Sequence, residues 1–241
     1  MNNKLFYAPI SNNPQRVLDV GTGTGIWAVD FADQYPSAEV IGTGISPIQS
    51  SWVPPMCKFE LDDAQLVWTY PDNHFDFIHV RLMMGAIQDW DALYRQAYRC
   101  LKPGGWFEHM EYDPRVVSDD DSVGPESPWN QWGDIFLTAG KKLGRTFSVI
   151  IDSQNKRWIR DAGFENVDEM RLKLPLGTWP AKLDLKTVGR FNLHATEQGL
   201  EGFALYILTE THGWDVAEAQ MYLATVRNEL KNKSKHAFYE A

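Results

Sequence analysis

The chain carries a glycine-rich stretch at residues 17–25, Val-Leu-Asp-Val-Gly-Thr-Gly-Thr-Gly. A short apolar run leads into a turn with glycine at positions 21, 23 and 25, and an amphipathic segment follows from Ile26. Glycine adopts positive φ readily and lets a ligand approach the backbone without a Cβ in the way. The free amides of a following helix point toward such a turn. The stretch predicts a strand, a ligand-binding loop and a helix, although a tight turn without a ligand gives the same pattern.

Composition excludes several classes of partner. The chain has 241 residues, 44% of them hydrophobic, which is enough for one large α/β domain. Its formal net charge of -9 argues against a nucleic-acid surface, because phosphate binding depends on clustered Lys and Arg. The sequence contains no run of about 18 apolar residues of the kind that predicts a membrane span. Residues 1–10 lack the apolar core of a signal peptide. Cys57 and Cys100 form no CxxC pair, so we expect a cytoplasmic protein, with a nuclear location as the alternative.

Strands and helices alternate in the first half of the chain. Predicted strands lie at residues 16–20, 39–42, 57–61, 75–80 and 106–112, and predicted helices at 26–35 and 90–101. Asp89 is placed to cap the second helix. The alternation predicts an α/β fold with a Rossmann-like, doubly wound, mainly parallel sheet and helices on both faces. In such a sheet, ligands bind beyond the carboxyl ends of the strands.

The second half predicts mainly helices. They are expected at residues 129–143, near 158–162, at 183–211 and after Asp215, with a sixth strand at 164–174. The helical segment 183–211 is expected to cover the substrate end of the sheet. The carboxylates at 119–121 are consecutive loop residues, which are usually solvated, and we expect no metal. We treat residues 1–241 as a single domain, with a cofactor-binding core at 1–113 and a substrate-side half at 114–241.

Candidate chemistry lies just after the predicted strands. His109 and Glu111 are two positions apart on one strand face and predict a general base with its orienting carboxylate, with a structural pair as the alternative. Arg81 is a candidate ligand for a substrate carboxylate, and a structural ion pair is the alternative. Asp63 is a candidate acceptor for an adenine amino group or a turn cap. His194, on the predicted cover, is a further substrate-side candidate.

Several linked motifs resemble one family. They are the stretch at 17–25, Ser-Pro-Ile-Gln at 46–49, Asp-Asp-Ala at 62–64, Phe-Asp-Phe-Ile-His-Val-Arg at 75–81 and Leu-Lys-Pro-Gly-Gly at 101–105. They resemble the class I S-adenosylmethionine-dependent methyltransferases, and more narrowly the fungal LaeA-like branch, methyltransferase domain 23, associated with secondary metabolism. With further motifs as far as residue 180, the resemblance covers nearly the whole chain.

The resemblance implies S-adenosylmethionine as cofactor and S-adenosylhomocysteine as product. It implies that Asp19, Gly21, Thr22, Gly23 and Gly25 surround the amino-acid portion, that Gly44 and Ile45 follow the strand serving the ribose, and that Asp63 and Ala64 meet the adenine, with Val80 completing the set. Tyr112 joins Arg81 and His194 in the implied substrate set.

The chain departs from the family pattern in three places. Gly44 stands where the family carries an acidic residue for both ribose hydroxyls, and losing that contact weakens cofactor binding roughly ten- to a hundredfold, unless Thr43 or water substitutes. Only three residues precede Lys4, where the family carries a helical lid. The chain stops at Ala241, so we expect the last strand to be shortened or missing. A homodimer, or a partner that completes the sheet or lid, is therefore a hypothesis.

The leading functional prediction is a methyltransferase that acts on a small molecule in secondary metabolism. The alternative is the same scaffold without methyl transfer, either a cyclase-like enzyme or a regulatory or binding protein; Gly44 and the shortened ends favour it. A nicotinamide dehydrogenase is disfavoured, because the loop lacks GxGxxG spacing and no acidic residue follows the second strand.

Overall fold

A computed structural model describes residues 4–241 and divides into two compact units. The first unit runs to Glu111 and includes Ser153–Asp168. The second unit consists of Tyr112–Asp152 and Glu169–Ala241. The single domain with a core at 1–113 and a substrate-side half at 114–241 stays a prediction.

The first unit is built on a five-stranded parallel sheet. Its strands are β1 (Arg16–Val20), β2 (Glu39–Gly44), β3 (Cys57–Leu61), β4 (Phe75–Arg81) and β5 (Leu101–Met110), and the second unit adds β6 (Val116–Val117), β7 (Lys173–Pro175) and β8 (Phe238–Glu240). The spatial order of the large sheet is β3-β2-β1-β4-β5, with parallel pairing throughout. The order reverses between β1 and β4, which places a ligand crevice at their carboxyl ends. The predicted α/β Rossmann-like fold is confirmed.

Helices of the first unit lie on both faces of this sheet. The chain forms α1 (Ile26–Gln34), α2 (Trp90–Cys100), α3 (Pro128–Leu143), α4 (Gln154–Asp161), α5 (Leu183–Tyr206) and α6 (Val216–Leu230). Trp27 of α1 packs near Phe77, with ring centroids 6.0 Å apart. Tyr94 of α2 packs near Phe107, which is paired in register with Ile78. Since residues 77 and 78 point to opposite faces of β4, α1 and α2 lie on opposite sides of the sheet.

The helix starts follow their capping residues. Asp89 accepts a hydrogen bond from the backbone N–H of Ala92, and Asp215 accepts one from Glu218, as the sequence predicts. The helix predicted at 183–211 forms as α5, continued by a π-helical turn over Ile207–Thr211. Among the described residues, no helix is long and apolar enough to cross a membrane.

The second unit contains a small antiparallel sheet with the order β6-β8-β7. Its centre, β8, pairs with both neighbours, so that Tyr239 is opposite Val116 on one side and Leu174 on the other. α3, α5 and α6 form a core that includes Trp129, Leu200 and Leu223.

Three predicted strands differ from the structure. The sixth strand predicted at 164–174 is wrong: Asn166 takes a positive φ of 54°, which interrupts an extended run, and only Lys173–Pro175 forms a strand, in the small sheet. The expected last strand is present as the three-residue β8, but it also pairs in the small sheet. β5 spans Leu101–Met110 rather than 106–112, because the Pro-Gly-Gly segment is accommodated by a register shift against β4.

Candidate functional site

The loop after β1 has the geometry that its glycines predict. Gly21, Gly23 and Gly25 have φ values of 71°, 57° and 83°. A Cβ built on Gly21 would lie 2.1 Å from Met83 Sδ, and one on Gly25 would lie 2.3 Å from the Phe59 ring. A Cβ on Gly23 would meet nothing within 4 Å. The loop is therefore tightly packed at both ends and open in its middle.

Helix α1 begins directly after this loop with an uncapped N-terminus. Gly25 is the N-cap residue, no side chain bonds the first amides, and the first turn holds no acidic residue. Such an end leaves backbone N–H groups free and favours a negatively charged group. The loop is fixed to the neighbouring strand by a 2.8 Å hydrogen bond from Thr22 N–H to the Thr43 carbonyl oxygen. A ligand carboxylate fits these donors.

Asp19 lies in a closed network below the loop. Its Oδ1 is 2.8 Å from Nδ1 of His79, and its Oδ2 accepts a 2.6 Å hydrogen bond from the Thr22 hydroxyl. The His79 ring stacks on Trp27 with centroids 3.9 Å apart and ring planes 2° apart. The Asp19 and His79 side chains are 5% and 2% exposed. Both Asp19 oxygens are thus engaged by the protein, and its implied contact with cofactor stays a prediction.

The end of β2 is open where an acidic residue was expected. A Cβ built on Gly44 would have only Gln49 Nε2 and Thr22 Cγ2 as neighbours, each at 4.0 Å. Thr43, the substitute considered from the sequence, is only 5% exposed and points to the opposite strand face. Gln49 instead reaches across the opening: its Nε2 donates to the carbonyl oxygens of Gly23 at 2.6 Å and Ser46 at 2.9 Å.

The end of β3 carries the residues implied for adenine. Asp63 Oδ1 accepts a 3.0 Å hydrogen bond from Gln65 N–H, which is the turn cap considered as the alternative, and leaves its second oxygen available. The Ala64 carbonyl oxygen accepts from the Trp68 indole N–H at 3.0 Å. Apolar side chains are exposed around this end: Ile45, Leu61 and Leu66. Val80, also in the implied set, is fully buried on β4 and offers only its backbone.

A second histidine–carboxylate pair lies at the end of β5. His109 Nε2 is 3.2 Å from Glu111 Oε1, and His109 Nδ1 is 2.9 Å from the Tyr94 hydroxyl. The His109 and Glu111 side chains are 1% and 0% exposed. Glu111 Oε1 also accepts from the backbone N–H of Met83. Within residues 4–241, Glu111 Oε2 has no hydrogen-bond partner. The structure therefore brings the predicted pair together and leaves one carboxylate oxygen unused.

The direction of these hydrogen bonds follows from Tyr94. Burial, with the nearby charge of Glu111, raises the pKa of Tyr94, so the phenol stays protonated. A carboxylate only accepts, so His109 donates from Nε2 and accepts from the Tyr94 hydroxyl at Nδ1. Trp90 packs on His109 with ring centroids 4.8 Å apart, and its indole N–H lacks a partner in the described part of the chain. An unpaired donor and an unpaired acceptor thus lie beside one histidine.

Arg81 ends β4 and is half-buried. The structural ion pair weighed for it does not form with any described carboxylate, which leaves the guanidinium available to an anion. Leu82 follows with a φ of 56°, so the chain turns sharply before Met83. This turn directs the Met83 N–H to Glu111 and the Met83 thioether to Gly21.

Two other predicted substrate residues belong to the second unit. Tyr112 packs on Tyr239 with ring centroids 4.8 Å apart. His194 lies exposed on α5. Their proposed roles stay predictions.

Sequence reasoning missed Gln49, Met83 and Tyr94 as members of the site. Gln49 was signalled only as the last residue of Ser-Pro-Ile-Gln, a motif that carried the resemblance. Tyr94 was predicted as part of the apolar face of α2, because its hydroxyl partner lies on another element. No pattern distinguished Met83, since its contacts depend on the positive φ of Leu82.

The chain matches one protein family model and is similar in sequence to fungal proteins of secondary metabolism. A family model described as a methyltransferase domain matches residues 2–169. Methyltransferase pytC of Aspergillus terreus is 36% identical over 242 residues, covering 100% of this chain and 74% of that protein. Secondary metabolism regulator LAE1 of Cochliobolus heterostrophus is 36% identical over 242 residues, covering 98% of this chain and 78% of that protein.

Solved structures with the same fold include two of different function. Haemonchus contortus phosphoethanolamine N-methyltransferase 2, in complex with S-adenosyl-L-methionine, has a TM-score of 0.53 and 17% identity, covering 96% of this chain and 48% of that one. The cyclase SpnF has a TM-score of 0.53 and 21% identity, covering 95% of this chain and 73% of that one. At these identities the matches establish the fold and do not separate the two functions.

Proposed function

The chain belongs to the LaeA-like branch of the S-adenosylmethionine-dependent methyltransferases, and we propose that it methylates a small molecule of secondary metabolism. The observation that carries the proposal is the open glycine loop between β1 and the uncapped α1. The strand ends carry groups suited to different parts of a ligand. Free backbone amides of α1 follow β1, exposed apolar side chains lie at the ends of β2 and β3, and Asp63 after β3 has an available carboxylate oxygen.

The residues present fit the cofactor. The α1 amides and the Gly23 backbone are suited to its amino-acid carboxylate, and Ile45 and Leu61 are suited to an adenine face. When bound, S-adenosylmethionine supplies a methyl group on a positively charged sulfur. Displacement at that carbon needs an acceptor held in line, so positioning provides much of the catalysis.

We propose that Glu111 is the catalytic base and that His109 is its positioning residue, which reverses the roles expected from the sequence. Both nitrogens of His109 are engaged, whereas Glu111 Oε2 is free. His109 and the Met83 N–H fix the Oε1 side and leave Oε2 to take a proton. Oε2 would then take the proton that the acceptor gives up when bound cofactor methylates it.

Arg81 supports an acceptor that carries an anionic group. It is half-buried at the end of β4, the strand next to β5, and has no ion-pair partner among the described residues. Arg81→Met preserves much of the side-chain volume and removes the charge. We expect it to raise the KM of an anionic acceptor about tenfold or more while leaving cofactor affinity unchanged.

Calorimetric titration with S-adenosylmethionine and S-adenosylhomocysteine tests the proposed function. We expect binding by the natural chain, tightened about tenfold or more by Gly44→Asp, because the new carboxylate faces open space at the end of β2. Gly124→Asp, in the second unit at an uncrowded position, is the matched control and is expected to leave affinity unchanged. Absence of heat with either ligand at millimolar concentration, for both the natural chain and Gly44→Asp, contradicts the proposal.

A scaffold without methyl transfer is the second candidate, favoured by Gly44. It predicts that bound S-adenosylmethionine is recovered unchanged after incubation with mixtures of candidate acceptor molecules, whereas methyl transfer predicts that S-adenosylhomocysteine forms.

We also propose a cytoplasmic or nuclear location, supported by the free thiols of Cys57 and Cys100. A homodimer, or a partner that completes the sheet or lid, is a further hypothesis. Sedimentation of the purified chain tests the dimer.

A further inference from the structure

We propose that Gln49 takes the place of the missing acidic residue and binds a ribose hydroxyl of the cofactor through its amide oxygen. This rests on the proposed function, because it assigns a residue to the same cofactor site. Nucleotide-binding α/β sheets commonly use an Asp or Glu at the end of the second strand for the ribose, and here that position is Gly44.

The carboxamide of Gln49 is fixed beside this opening. Its nitrogen is 4.0 Å from a Cβ built on Gly44, so it occupies the edge of the space that an acidic side chain would fill. Hydrogen bonds to the Gly23 and Ser46 carbonyl oxygens hold it at two points. A half-buried side chain held in this way loses little further freedom when a ligand binds.

The same bonds determine which atom faces a ligand. A glutamine amide has two N–H donors and one oxygen acceptor, and two carbonyl oxygens engage the nitrogen. The oxygen therefore points away from both carbonyls and retains its lone pairs. A ribose hydroxyl is a donor of the kind that such an oxygen accepts.

Two of the neighbouring polar side chains, those of Thr22 and Thr43, are committed elsewhere. The Thr22 hydroxyl donates to Asp19, and Thr43 points to the opposite face of β2. Asp63 lies after β3, where one oxygen caps the turn and the second stays available for the implied adenine contact. Gln49 contacts both the glycine loop, at the Gly23 carbonyl oxygen, and the segment after β2, at the Ser46 carbonyl oxygen.

Calorimetry with S-adenosylhomocysteine and its 2′,3′-dideoxy analogue tests the assignment. We expect the natural chain to prefer the hydroxylated ligand about tenfold. Gln49→Met keeps the side-chain length but removes both donor and acceptor, so the preference is expected to fall to about twofold or less. Gln34→Met, at an exposed glutamine on α1, is the control and is expected to retain the full preference.

The ratio between the two ligands separates recognition from loop support. If Gln49 only clamps the loop, Gln49→Met weakens both ligands equally, and the assignment is overturned. An unchanged preference in Gln49→Met overturns it as well. Failure of the natural chain and Gly44→Asp to bind either ligand instead contradicts the proposed function, and with it this inference.

Discussion

The first unit contains two buried histidine–carboxylate pairs on opposite faces of its sheet, and they differ in how completely they are satisfied. Asp19 uses both oxygens, one with His79 and one with Thr22. Glu111 uses only Oε1, which His109 and the Met83 N–H share, and leaves Oε2 without a partner in residues 4–241. A fully paired carboxylate supports the fold, whereas a buried unpaired oxygen costs free energy unless a ligand uses it. We infer that the first pair supports the loop and the second serves chemistry.

Removing the first pair is expected to have the largest effect on stability. Asp19→Ala leaves the His79 N–H and the Thr22 hydroxyl without an acceptor, and we expect the free energy of unfolding to fall by about 3–5 kcal/mol. Urea unfolding followed by tryptophan fluorescence measures it. Asp30→Ala, at an exposed position of α1, is the control. A loss as small as that of the control would show that Asp19 is dispensable for the fold.

Matched amide substitutions compare the two pairs directly. We expect Asp19→Asn to lower the free energy of unfolding by about 2 kcal/mol, because a charge-assisted bond is lost. Glu111→Gln removes a buried charge whose second oxygen is unpaired, so we expect a change of at most about 1 kcal/mol, with loss of acceptor-dependent S-adenosylhomocysteine formation. Equal destabilisation by both substitutions would contradict the division between support and chemistry.

Thr22→Val makes the first pair resemble the second. Valine has nearly the shape of threonine but donates no hydrogen bond, so Asp19 Oδ2 loses its partner. It then resembles Glu111 Oε2, which has no hydrogen-bond partner among the described residues. We expect a loss of about 1.5 kcal/mol in the free energy of unfolding. Thr24→Val, in the same loop but exposed, is expected to leave stability unchanged. An unchanged free energy of unfolding in Thr22→Val would indicate that a buried unpaired carboxylate oxygen is tolerated in this fold, so that the unpaired Glu111 Oε2 would need no functional explanation.

Asp76 provides a more exposed carboxylate on β4 for comparison, with the smallest expected effect. Burial opposes its charge, but hydrogen bonds from Lys102 and from the backbone N–H groups of Arg16 and Gln15 outweigh burial, so the pKa of Asp76 is lowered. Its contribution is therefore present above the unfolded pKa of about 3.9 and is lost as pH falls through the lower folded pKa. We expect Asp76→Asn to cost about 1 kcal/mol at neutral pH and less below about pH 4. A difference independent of pH would contradict this assignment.

The features best predicted from the sequence are those that depend on residues close together in the chain. The glycine loop and α1 follow from residues adjacent in sequence, and Asp89 and Asp215 cap helices a few positions away. The His109–Glu111 contact was predictable because residues two apart share a strand face.

Contacts between distant segments were not predictable in the same way. The Asp19–His79 bond joins two strands, and neither sequence neighbourhood identifies the partner. Residues 164–172 contain apolar side chains suited to a strand, but only Lys173–Pro175 forms one. Its pairing partner is β8, more than 60 residues along the chain, and the local sequence does not identify that partner. Gln49 became a candidate only when the loop brought it beside Gly44.

The central position of β8 has a kinetic consequence for the second unit. β6 and β7 each pair with β8 and with no other described strand, so the small sheet forms only after segments far apart in sequence meet. Closing such long loops costs entropy before any hydrogen bond is gained, which slows folding. During synthesis β6 and β7 emerge well before β8, with their edges unpaired. Unpaired strand edges of this kind favour aggregation until β8 joins them.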